Sequence, residues 1–164
     1  FEIDKVPELM ESGSVNIAIA FPDYMPQSYP LIKLFEEHHV CVASPQSSIA
    51  KTTPTLADVA SYPSIIASPS RPNFKGSIDD WFKEFGLQRN IVVSAPCFSI
   101  VPMYLETTDS IAFLPSRAIQ GLDLIEIELE QSPSPFDVIA AWHPRYNDDA
   151  LQSWVISLLE EDYK

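Results

Sequence analysis

The feature that most limits the fold is a succession of short apolar runs, each closed by a turn signal. Val15 to Ala20, His39 to Ala43, Ser64 to Ala67, Ile91 to Val93, Ile111 to Leu114 and Phe136 to Trp142 stay mainly apolar for only a few residues. Such runs suit strands buried on both faces. Between them lie stretches with helical spacing: Val6 to Met10, Leu56 to Ala60, Ile78 to Phe85, Ser99 to Thr107 and Ala150 to Leu159. Strands that alternate with helices predict an α/β fold with mostly parallel strands.

Local signals sharpen this reading. Gly13 and Gly86 suit helix C-termini, and Thr55 and Asp148 or Asp149 suit N-caps. Leu31 to Glu37 reads as a strand or a turn of helix, and Leu124 to Leu129 alternates as a half-exposed strand does. Leu151, Trp154, Val155 and Leu158 share one face of the last helix.

Composition excludes several classes. A net charge of −13 leaves no cationic footprint for gripping nucleic acid. No apolar stretch approaches the roughly 20 residues of a membrane span, so no membrane partner is expected. Only 4 glycines against 15 prolines leave little for a phosphate-cradling loop and imply many fixed turns. Cys41 and Cys97 read as small buried residues without support for a disulfide, which suits a reducing, cytoplasmic compartment. The 164 residues allow one sizeable domain or two small lobes. The chain opens at Phe1 with no visible signal peptide, and reads as a fragment or a processed product.

Five segments, in order, resemble the effector-binding domain of LysR-type transcriptional regulators. Met10 to Ile19 resembles the family's Leu-x-x-Gly-x-aliphatic-Asp stretch, with Asn16 where Asp is usual. His39 to Pro45 resembles the strand that leads to the first crossover, and Thr55 to Val59 resembles its Thr-Leu-x-Asp-Leu. Asp109 to Pro115 resembles a Gly-bearing strand entry, with Asp109 and Ser110 in place of the usual Gly-bearing pair. Ala141 to Arg145 and the helix after it resemble the tail of one branch.

The resemblance implies a two-lobed fold like that of the periplasmic binding proteins, with two crossover strands near 43–47 and 122–130. One lobe would comprise 1–43 with 127–164, the other 46–124. A ligand cleft would lie between them. The first strand and helix of the first lobe, and the N-terminal winged helix-turn-helix domain, would be missing from this chain. The function implied is sensing of a small organic acid or aromatic effector, with no cofactor, no metal and no catalysis. The partners implied are a second copy through the effector domain, a tetramer in the intact protein, and DNA through the absent domain alone. A periplasmic solute-binding protein of the same fold is the rival reading, and an enzyme a third.

Candidate effector contacts follow, each with a plainer alternative. The loop carrying Ser68, Ser70, Pro72, Asn73 and Phe74 follows a buried strand, where α/β folds place ligands. Its hydroxyls and free N–H groups suit a carboxylate, although it also reads as an ordinary Pro-rich turn. Phe98 and Ser99 open a helix, a favourable place for an anion or for a simple cap. Phe21 can stack on an aromatic effector or pack in the core. Pro115 ends a strand, at a cleft wall or a plain turn. His38 and His39 point to opposite faces of a strand and do not make a metal pair. His143 suits a surface or packing role, and no spaced Cys/His set, HExxH or GxSxG pattern occurs.

Overall fold

The computed structural model describes residues 3–68 and 77–163. The chain divides into two compact units, Phe1–Glu37 with Pro135–Lys164, and His38–Ser134. The strand from His39 to Ala43 and the return segment up to Ser134 belong to the second unit.

The first unit holds α1 (Val6–Glu11), β1 (Ile17–Ala20), β2 (Leu31–Glu37), β8 (Phe136–Trp142) and α5 (Ala150–Asp162). Val6 and Met10 lie four residues apart, on one face of α1. They pack against Ala18, Ala20, Ile139 and Ala141. Gly13 ends α1 at φ 78, a conformation a side chain at that position would resist. Asp149 caps α5 by accepting a hydrogen bond from the Gln152 backbone N–H at 2.7 Å. The Gln152 side chain is buried and donates to the Asn16 carbonyl. The apolar face read from the sequence is solvent-facing: Leu151 is 68% exposed and Trp154 58%.

The second unit holds β3 (His39–Ala43), α2 (Leu56–Ser61), β4 (Pro63–Ala67), α3 (Ser77–Glu84), β5 (Asn90–Ala95), α4 (Val101–Thr107), β6 (Ile111–Pro115) and β7 (Ile125–Glu126). Its sheet has the order β5-β4-β6-β3-β7. Side chains alternate across the strands, so β3 and β6 feed two cores. Cys41, Ala43, Ile111 and Phe113 meet Val59 and Ala60 of α2 and Ile78 and Phe82 of α3. Val40, Val42, Ala112 and Leu114 meet Val101 and Leu105 of α4. Burial on both faces explains why these strands read as continuous apolar runs. The Thr-Leu-x-Asp motif is a capping box: Thr55 Oγ1 accepts from the Asp58 backbone N–H, and Asp58 accepts from the Thr55 backbone N–H.

The expectation of mostly parallel strands is corrected. Among the described residues only β4 pairs in parallel, with β5 and β6. β1 and β2 both run antiparallel to β8, which lies between them, and β3 runs antiparallel to β6 and β7. The cause is connectivity: β8 returns to the first unit after the whole second unit has been traversed, and inserts opposite in direction to its neighbours. The alternating segment from Leu124 to Leu129 yields only the two residues of β7 as strand, held at Val42 and Ala43. Ile127 follows alongside β3, its N–H donating to the Cys41 carbonyl at 2.8 Å, and its side chain enters the core.

Candidate functional site

β4, β5 and β6 are mutually parallel, so their C-terminal ends share one edge of the second unit's sheet. Open α/β sheets place ligands at that edge. Ser68 directly follows β4, and its backbone N–H donates to the carbonyl of Ala95, the last residue of β5, at 2.9 Å. Phe98 and Ser99 form the short 3-10 turn between β5 and α4. Pro115 is the last residue of β6, opposite His39 of β3. Four of the residues picked from the sequence therefore meet at one edge. Ser70, Pro72, Asn73 and Phe74 lie outside the described residues.

Ser99 is exposed at this edge, while Phe98 is half-buried and leans on the core beneath α4. Cys97 is exposed as well, which corrects its reading as a buried residue. It sits in the turn beyond the sheet rather than within a strand. A hydrogen bond with Ser99 Oγ at 3.2 Å, helped by the Ile100 and Ser99 backbone N–H groups, holds its thiol below the ordinary value. Cys41, buried in β3, is pushed up to about 12 by loss of hydration.

Phe21 belongs to the first unit, immediately after β1. Its ring stands edge-on to Phe136 at 4.9 Å and lies 6.0 Å from Tyr24. It is one of three neighbouring aromatics, which fits packing within that unit. His143 caps the turn after β8: its Nδ1 accepts from the backbone N–H of Arg145 at 3.1 Å and from Arg145 Nε at 3.0 Å. Among the described residues no group of three His, Cys, Asp or Glu is placed to hold a metal ion.

The sequence reading noticed Asp109 only as a departure from a Gly-bearing pair. In the structure it anchors the entry to β6. Ser47 Oγ donates to it at 2.6 Å, Tyr62 Oη at 2.6 Å, and Ser48 donates through both Oγ and its backbone N–H, at 2.8 and 3.1 Å. These donors, Ser47 foremost, hold its carboxyl well below the usual range. The anchor ties the connection after β3 to the end of α2 and the start of β6.

The model of the LysR substrate binding domain matches residues 2–164, and the chain belongs to that family. That membership favours the regulatory reading over a periplasmic solute-binding protein. The chain is 28% identical over 158 residues to Nodulation protein D 1 of Sinorhizobium fredii (strain NBRC 101917 / NGR234), across 93% of this chain and 48% of that protein. It thus spans about half the length of that relative. In structure it resembles a probable transcriptional regulator, PA0477, of Pseudomonas aeruginosa. The TM-score is 0.83 at 21% identity, over 94% of this chain and 52% of that one. It also resembles the effector binding domain of QuiR in complex with shikimate, with a TM-score of 0.78 at 15% identity over 99% of this chain and 78% of that one. These likenesses show the fold.

Proposed function

We propose that this domain senses a small organic acid, aromatic or cyclic, through the C-terminal edge of β5, β4 and β6. The observation that carries the reading is the convergence of Ser68, Phe98, Ser99 and Pro115 at that edge. Hydroxyls and backbone N–H groups there suit a carboxylate, and Phe98 suits a ring. That QuiR's effector domain holds shikimate, a cyclic carboxylate, supports the ligand class.

In the intact protein, binding would favour one of two assemblies by unequal affinity for them, and so alter how separate N-terminal domains sit on an operator in the cytoplasm. The effector domain would pair with a second copy, and the whole protein form a tetramer. The exposed apolar Leu151, Trp154 and Leu158 of α5 support such pairing. No residue constellation for catalysis enters this reading.

The test is thermal unfolding of the 164-residue chain with a panel of cyclic and aromatic carboxylates, shikimate first. A ligand at 100 times its Kd adds about 2.7 kcal/mol, a midpoint rise of about 5 to 10 °C for a domain of this size. A selective rise that Ser99→Ala and Phe98→Ala both diminish is the expected result. A flat response across the panel contradicts it.

A further inference from the structure

Arg89 is an unusual residue for its position. It precedes β5, its side chain is only 2% exposed, and it lies in a chain of strongly negative charge. A Schellman turn puts it there. Gly86, at φ 69, donates to the Lys83 carbonyl at 2.9 Å, and Leu87 donates to the Phe82 carbonyl at 3.0 Å. The chain is thereby folded back under α3. The Arg89 guanidinium stands 5.9 Å from the rings of both Phe82 and Phe113. Its Nε donates to Asp79 Oδ1 at 2.9 Å.

That pair neutralises the buried charge but uses one of five N–H donors. The terminal nitrogens find no acceptor among the described residues. Arg89 also lines a surface pocket of about 630 Å³, together with Asp79, Lys83, Gly86, Leu87, Gln88 and Ile91. Nε is committed to Asp79, which leaves the end-on edge of the fork. Two coplanar oxygens of a carboxylate match that edge. Lys83, exposed and paired with Asp80 at 2.5 Å, supplies a second cation at the rim, and Leu87 and Ile91 supply an apolar wall.

We infer that this pocket is a second ligand site, for a small organic carboxylate whose oxygens sit on Arg89 and whose carbon skeleton lies on Leu87 and Ile91. It is separate from the edge described above. The pocket adjoins the start of β5, whereas Phe98 and Ser99 follow its end, about 16 Å further along the strand. The Asp79 contact holds the guanidinium in place before the ligand arrives, which lowers the cost of ordering on binding.

The experiment is a residue-resolved amide NMR titration of the 164-residue chain with succinate, against sodium chloride at matched ionic strength. Saturable shifts are expected at Lys83 to Ile91, with a Kd of about 1 mM or below. Arg89→Lys, which keeps the charge and removes the fork, should weaken binding about tenfold or more. Lys83→Ala, at an exposed position, should weaken it several-fold in a chain whose spectrum shows it folded. Shifts that follow ionic strength, that are unchanged in Lys83→Ala, or that appear only around Phe98 and Ser99 would overturn the second site. Failure of the sheet-edge site would leave the Lys83 to Ile91 shifts intact, so the two readings fail separately.

Discussion

The two units bury their sheets differently. In the second, β3, β4 and β6 are covered on both faces, by α2 and α3 on one side and α4 on the other. In the first, the described core gathers on one side of a three-stranded sheet, beneath α1. On β1 the alternation shows directly: Ala18 and Ala20 are buried, while Ile19 between them is 55% exposed. Each large side chain moved fully out of water contributes about 1.5 to 3 kcal/mol. The second unit is therefore the more stable frame, and it carries both ligand sites proposed for this chain. The first presents apolar surface suited to assembly.

The strongest way to break this contrast is to empty the second core. Phe82 is fully buried among Trp81, Phe113 and the Arg89 guanidinium. Phe82→Ala should cost about 3 to 5 kcal/mol, read as a lower urea midpoint and loss of amide protection in β3, β4 and β6. A variant that loses protection in the first unit alone would contradict the contrast.

Asp109 offers a smaller and pH-dependent test. Its folded pKa is depressed by Ser47, Tyr62 and Ser48. The stability it adds is thus complete above the ordinary carboxylate value of about 4 and is lost as pH falls below that toward the depressed value. Because the group is solvent-exposed, Asp109→Asn should cost only about 1 kcal/mol at neutral pH. The gap between variant and parent should close as urea midpoints are followed from neutral pH into strong acid. A constant gap would mean the carboxylate charge is not what the donors hold.

Gly86→Ala should cost about 1 kcal/mol through its left-handed backbone alone, since nothing lies within 4 Å of an added Cβ. It should also displace Arg89 and weaken the pocket. The smallest effects sharpen the comparison from both sides. Ser64 Oγ is buried without a partner among the described residues, so Ser64→Ala should be neutral or slightly stabilising by thermal midpoint. Trp154→Lys, on the open face of α5, should leave chain stability within about 0.5 kcal/mol while reducing self-association in sedimentation.

What the sequence disclosed follows the same division. Strands buried on both faces announce themselves as apolar runs, which is why β3, β4 and β6 were legible. The helix caps were legible too, because Thr55 with Asp58 and Asp149 act within three residues. Strand direction was not, because the place of β8 between β1 and β2 depends on a return across nearly a hundred residues. Ser68, Phe98, Ser99 and Pro115 are candidates singly, by their places at strand ends; only the pairing of β4 with β5 and β6 brings those ends to one edge. Asp109 left a faint trace, an acidic residue where the family pattern has glycine nearby. Arg89 left none, since a basic residue after a helix end reads as solvated until its burial beside Phe82 and Phe113 is known.

The most direct test of the central claim is amide shift mapping with the carboxylate that most raises the thermal midpoint. The account predicts saturable shifts centred on Ser68, Phe98, Ser99 and the amides flanking Pro115, with an affinity that falls in Ser99→Ala. Saturable shifts that leave this edge untouched and centre on α5 or the first unit's sheet would contradict it.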